Sequence, residues 1–281
     1  MRAPDALISM MKLLILVALL AVPQEVESTA ADLTTDADGV IHLKVTSSAQ
    51  SKPVEVRLLV PATLPAGDER RFLYLLPVEK EGDSKYGDGL AEARKLKLHE
   101  KLGMIVVAPG FAELPWYADH PTNGKRRDEA HLLKAVLPLV EKRYPSKKPR
   151  RLLLGFSKSG WGAWSLLLRH PDLFEAAAAW DAPLMKEKPD QFGMDGAFAT
   201  QENFEGYRLT RLLREKAESL RARKRLAHFG YGGFRDHHQK MQALLDELKL
   251  PVEYKDGPKR EHVWGSGWVE EAAAALDAMS R

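Results

Sequence analysis

Thirteen residues, Arg151-Leu-Leu-Leu-Gly-Phe-Ser-Lys-Ser-Gly-Trp-Gly-Ala163, constrain the fold of this chain more than any other stretch. An apolar run, Leu152 to Phe156, delivers Ser157. Small residues at 159, 160, 162 and 163 then open what reads as a helix. A strand that turns so sharply into a helix brings two backbones together, so the positions two before and two after the serine must be small. Gly155 meets the first demand. Ser159 stands at the second, where glycine is usual, and Gly160 follows one place later, giving G-x-S-x-S-G. Such a turn lifts a serine hydroxyl clear of a sheet, where it can act as a nucleophile. An alcohol at its free pKa is a poor nucleophile and needs a base with an orienting acid.

Candidates for both follow. Arg225-Leu-Ala-His-Phe-Gly-Tyr-Gly-Gly-Phe-Arg-Asp236 reads as a short strand ending in a glycine-rich loop that carries Asp236. An amphipathic helix (Met241, Leu244, Leu245, Leu248) and a strand, residues 251–254, come next. The loop Lys259-Arg-Glu-His262-Val-Trp-Gly-Ser-Gly-Trp268 then leads into the last helix. Ser157, Asp236 and His262 each fall just beyond a predicted strand end, where an open parallel sheet gathers its active site. Asp181, after the apolar run 176–180, competes as the acid. Asp236 is favoured because its loop follows the penultimate strand and precedes the histidine by one βα step. Asp181 is then read as a substrate contact or a structural cap.

Upstream, residues 40–45 and 54–60 alternate apolar with polar, as half-buried antiparallel strands do. Residues 71–76 and 104–108 are continuous apolar runs, as fully buried strands are, with a helix predicted between them over 90–102. A second helix, 129–144, contains Pro138, which should kink or divide it. Antiparallel strands followed by alternating βα units predict an α/β fold: a mostly parallel sheet with helices on both faces. Residues 184–224 form an insertion, polar but with Phe192, Phe198, Phe204 and Tyr207 and a basic helix over 208–225, expected to cap or wall a cleft.

The order serine, acid, histidine is that of the α/β-hydrolase fold. The chain resembles the esterase branch of that superfamily, which includes esterase D-like and feruloyl esterase-like enzymes. The elbow 155–160, the loop 232–236 and the block 261–268 carry the resemblance, which spans residues 40–281. It implies a serine esterase that forms an acyl-enzyme without metal or organic cofactor, on a small-molecule or carbohydrate ester. A serine peptidase of the same fold, or a binding protein that has lost catalysis, are the alternatives.

In such a fold one oxyanion donor is the amide after the nucleophile, here Lys158. The other comes from the loop after the third strand, Pro77-Val78-Glu79. Pro77 has no N–H, so Val78 or Glu79 must donate. The Lys158 side chain reads as solvated, with attraction of an anionic substrate group as the alternative. All six tryptophans fall in segments expected near the site rim, and Trp116, Tyr117 and Trp161 are assigned to substrate contact. His237 and His238 read as surface residues, because neighbours in sequence cannot readily share one metal.

A basic start and the apolar residues 13–22 read as a signal peptide, with cleavage near Ala30 and hence an exported protein without stable membrane insertion. The absence of cysteine excludes disulfides and thiolate chemistry. A mature domain of about 250 residues can bury enough surface to do without them. The net charge of +3 comes from interleaved cations and anions, which argues against nucleic acid as a partner.

Overall fold

Three antiparallel strands lead into a parallel sheet, so the alternating and the continuous apolar runs occupy different halves of the molecule. The computed structural model describes residues 25–64, 69–80 and 84–281. Strands β1 (Ser28–Thr35), β2 (Ile41–Ser47) and β3 (Val54–Leu59) pair antiparallel, and β3 joins β5 (Ile105–Ala108) the same way. Parallel pairing then links β5, β4 (Arg71–Leu75), β6 (Arg150–Phe156), β7 (Ala176–Trp180), β8 (Leu226–Phe229) and β9 (Val252–Lys255). The sheet order is β1-β2-β3-β5-β4-β6-β7-β8-β9. The signal-peptide segment lies largely outside the described residues, and the expected cleavage point near Ala30 falls within β1.

The helix expected over 90–102 divides into α1 (Gly89–Lys95) and α2 (Leu98–Leu102). Lys97 adopts φ +54 between them, and the left-handed turn ends the first helix. Pro138 divides its helix too. α3 (Asp128–His131) runs into a π-turn at Leu132–Val136 before α4 (Leu137–Arg143). Proline cannot donate to the carbonyl four residues back and its ring crowds that carbonyl, and the backbone widens ahead of it.

Helix α5 (Ser157–Arg169) follows β6 without a linker and is buried along most of its length. Its tight passage beneath the neighbouring chain is why the sequence needs small residues there. The insertion sends its apolar side chains into the core. In α6 (Met194–Phe198), α7 (Gln201–Glu205) and α8 (Leu209–Leu220), Phe198, Phe204, Leu209 and Leu213 are all buried. The stretch leading to Phe192 stays at the surface. Helices α9 (Arg235–Glu247) and α10 (Val269–Met279) complete the layers over the sheet. Among the described residues no helix is long and apolar enough to cross a membrane.

Candidate active site

Register places the site. Phe156 of β6 pairs with Trp180 of β7, and Trp180 with Phe229 of β8, so three strands end level with one another. The residues that leave the first two, Ser157 and Asp181, therefore emerge side by side at the carboxyl edge of the sheet. Both have left-handed backbones, φ +53 at Ser157 and φ +41 at Asp181. Neither is glycine, and each such conformation costs on the order of 1–3 kcal/mol that the surroundings must offset.

At Ser157 those surroundings are visible. The Phe156 N–H donates to Ser159 Oγ at 3.0 Å, and Ser159 Oγ donates back to the Phe156 carbonyl at 2.9 Å. The serine that replaces the usual glycine thus ties the turn together from inside. Gly155 makes room for it: a Cβ there would lie 2.5 Å from the Ser159 carbonyl. The first N–H groups of α5 have no intrahelical acceptor and carry the positive end of the helix dipole. The Lys158 amide is one of them.

His262 and Asp181 are partners. His262 Nδ1 lies 2.5 Å from Asp181 Oδ2, and Asp181 is fully buried. Burial alone would raise the Asp181 pKa. The hydrogen bond from His262 and the amides of Phe234 and Gly233 outweigh it and hold the carboxyl below its ordinary value. An ionised Asp181 can only accept, so Nδ1 carries the ring proton and Nε2 is the basic nitrogen. The imidazole is packed edge-on against Phe156, ring centroids 5.0 Å apart, and Tyr86 at 5.5 Å, with Trp180 at 6.0 Å and Phe234 at 6.1 Å. Contact with Phe156, the residue before Ser157, brings His262 to the elbow.

Asp236 is a correction. It is the second residue of α9, its side chain is 62% exposed, and its neighbour is Lys240 at 3.7 Å. The glycine-rich loop thought to present it does something else. The Phe234 N–H donates to Asp181 Oδ1 at 2.5 Å, and a Cβ on Gly232 would stand 2.0 Å from the Asp181 carboxyl carbon. The loop after β8 therefore cradles the acid supplied by β7.

The histidines after Asp236 are a second correction, since His238 is buried and His237 half-buried. Ala182 N–H donates to His238 Nε2 at 2.8 Å, and Met185 N–H to His237 Nδ1 at 3.0 Å. They hold the chain leaving Asp181. With Nε2 accepting, neutral His238 keeps its proton on Nδ1, which points to His228 Nδ1 at 3.1 Å; His228 in turn donates from Nε2 to Gln242 Oε1 at 3.0 Å. Burial pushes both pKa values down, that of His228 to about 4.

Trp116, Tyr117 and Trp161 are fully buried, so the substrate-contact assignment is corrected as well. The two indoles pack on each other with centroids 5.5 Å apart, and the Trp116 N–H donates to the Phe192 carbonyl. Tyr117, at φ +56, donates from its hydroxyl to the Pro77 carbonyl at 2.5 Å. That bond holds the loop Pro77–Glu79, whose Val78 side chain is buried. Lys158 is not solvated: its ammonium donates to Glu79 Oε1 at 3.0 Å. Tyr86 escaped the sequence reading, as did the roles of Gly232, Phe234 and His238, because each acts through a backbone or ring contact that leaves no motif. Among the described residues no group of three His, Asp or Glu side chains is placed to share a metal ion. A groove between β9 and α10, lined by Phe229, Lys255, Ala275 and Met279, contains neither Ser157 nor His262.

Residues 97–230 match a family described as "Putative esterase". No curated protein matches the sequence. Solved structures are similar in fold at low identity. A ferulic acid esterase shares 18% identity at TM-score 0.65, covering 92% of this chain and 98% of that one. Fluorophosphonate-binding serine hydrolase F of Staphylococcus aureus shares 15% at TM-score 0.65, with 92% and 100% covered. An S-formylglutathione hydrolase from Agrobacterium tumefaciens shares 13% at TM-score 0.65, with 89% and 99% covered.

Proposed function

From the match of residues 97–230 to the esterase family, and from the fold shared with solved esterases, we infer that this chain hydrolyses carboxylic esters through Ser157, His262 and Asp181. The observation that carries the reading is the 2.5 Å contact between His262 Nδ1 and buried Asp181, on a ring packed against the elbow that bears Ser157. Ser157 Oγ attacks the ester carbonyl as its proton passes to His262 Nε2. Asp181 keeps the imidazole in the required tautomer and stabilises the imidazolium that forms. The amides of Lys158 and of Val78 or Glu79 receive the oxyanion. Collapse breaks the bond to the alcohol, which takes the proton from His262, and leaves Ser157 acylated. Water then attacks the acyl-enzyme by the same route, releasing the acid and restoring the serine.

The substrate is a small-molecule or carbohydrate ester whose acyl or alcohol group meets Phe234 and Phe192. Phe192 is 51% exposed and stacks edge-on against Phe234, the ring beside His262. The same reading includes export after removal of a signal peptide near Ala30, checked by N-terminal sequencing of protein recovered outside the cytoplasm.

Labelling with a fluorophosphonate, followed by mass spectrometry of the modified peptide, tests the nucleophile. Modification at Ser157 that disappears in His262→Ala is the expected result, together with loss of p-nitrophenyl acetate turnover in Ser157→Ala. Undiminished turnover in Ser157→Ala would refute the assignment. Feruloyl esters, acetylated sugars and peptide amides offered in parallel then define the substrate.

A further inference from the structure

Lys158 reaches the reaction centre twice, once through its amide and once through its side chain. The amide is a candidate oxyanion donor at the start of α5. The ammonium meets Glu79 Oε1 at 3.0 Å, and the two side chains are only 10% and 16% exposed. Glu79 belongs to the loop expected to supply the second donor. The bridge therefore joins the two walls of the oxyanion hole, while Tyr117 holds the same loop from behind through the Pro77 carbonyl.

Charge gives this contact a consequence beyond tethering. A carboxylate on the oxyanion loop, largely shielded from water, opposes the negative charge that gathers on the substrate oxygen in the transition state. Opposite charges within a few ångströms attract strongly where water is scarce, and removing one partner of such a pair leaves the other uncompensated. The geometry also disfavours recruitment of an anionic substrate group by Lys158, since its ammonium already has a carboxylate.

We propose that the Lys158–Glu79 ion pair is a positioning element of the oxyanion hole: the ammonium fixes the loop Pro77–Glu79 against the start of α5 and cancels a carboxylate that would otherwise oppose the oxyanion. The proposal rests on the ester-hydrolase reading above. Its signature is a loss in kcat with little change in KM, because the opposing charge matters only when the oxyanion forms.

The experiment compares Lys158→Met, Glu79→Gln, the double variant and Lys158→Arg, by steady-state hydrolysis of p-nitrophenyl acetate and thermal melting of each protein. Lys158→Met is expected to lower kcat on the order of 100-fold, the scale of one lost oxyanion donor. Glu79→Gln removes the opposing charge and is expected to lose less than Lys158→Met. The double variant, with neither charge left alone, is expected to regain about tenfold of the Lys158→Met loss. Lys158→Arg keeps the charge and is expected to be faster than Lys158→Met. A double variant as slow as Lys158→Met, or a Glu79→Gln variant slower than it, overturns the proposal. So does a Lys158→Met enzyme of undiminished kcat. If Lys158→Met does not fold, the remaining variants decide against the wild type: Glu79→Gln and the double variant are expected within about tenfold of its kcat, and a loss on the order of 100-fold in either overturns the proposal. Failure of the underlying reading is separate, since wild-type protein would then turn over no ester or leave Ser157 unlabelled.

Discussion

After β7 the chain turns at its first residue, Asp181, which takes φ +41 and buries its carboxylate. After β8 it runs through Gly230 to Gly233 before α9 starts, and Asp236 emerges on the outer face of that helix beside Lys240. The two loops lie next to each other at the same edge of the sheet, and each carries an aspartate. One supplies the carboxylate that meets His262; the other supplies the amides and the space that this carboxylate needs. The contrast teaches that a buried carboxylate is made useful by its neighbour's backbone. Burial opposes the ionisation of Asp181, and the hydrogen bonds from His262 and from the N–H groups of Phe234 and Gly233 outweigh it.

The largest effect that would break this division of labour is in the acids themselves. Asp181→Asn should preserve the fold while removing control of the His262 tautomer, at a cost in kcat on the order of 10,000-fold. Asp236→Asn, at an exposed position, should leave kcat and stability near those of the wild type. Steady-state kinetics on the two variants decides between the loops, and the reverse order of losses would return the acid to Asp236.

The cradle can be tested next. Gly232→Ala places a methyl group 2.0 Å from the Asp181 carboxyl carbon, so the carboxylate or the loop must move. A misplacement of about 1 Å at such a site costs on the order of 100-fold in rate. Gly233→Ala is the control, because its Cβ would meet Asp181 Oδ2 at an ordinary 3.7 Å. Equal losses in the two variants would mean that the loop is sensitive to any side chain and not to the space around Asp181.

A third difference is in response to pH. The support for Asp181 from the β8 side runs through His238 and His228, both buried as neutral rings. The folded pKa of His228 is about 4 against an ordinary 6.5, so the unfolded chain takes up the proton first as pH falls. The stability gained from the neutral ring is complete above about pH 6.5 and is lost progressively toward pH 4. At pH 5 the loss from His228 alone is on the order of 2 kcal/mol. Buried His131, also lowered to about 4, adds to it, whereas the raised pKa of His42 works the other way. Urea unfolding at pH 7 and pH 5 should show the decline; equal stability at the two values would remove the buried-histidine account.

The strand–turn–helix of the elbow, the sheet and the division at Pro138 were legible in the sequence because each follows from local sterics and periodicity. His262 was legible as the polar residue of a loop expected at the sheet edge. The choice between Asp181 and Asp236 was not, because it depends on the level at which β7 and β8 end and on a glycine in one loop making room for a side chain in the other. The tryptophans misled for a related reason. Segments near an active site are also where a sheet edge must be closed, and Trp116, Trp161 and Trp180 are consumed in closing it. Lys158 looked like a surface cation because its partner lies in another element, far away along the chain.

The smallest expected effect concerns the one large aromatic of the β7 loop that stays outside. Phe192 adopts φ +58 and leaves half its surface in water, yet its ring meets Phe234 edge-on at 5.9 Å. Phe234 in turn flanks His262, so the pair extends from the base toward solvent on the side bounded by Met185 and His237. An aromatic contact of this kind is worth about 0.5–1.5 kcal/mol, or a few-fold in KM. Phe192→Ala should therefore raise KM for feruloyl-type esters a few-fold and leave KM for p-nitrophenyl acetate, which is too short to reach it, unchanged. Because the ring is exposed, the melting temperature should hardly move. If KM rises equally for both esters, the substrate does not extend along Phe234 and Phe192, and the two loops differ only in how they hold Asp181.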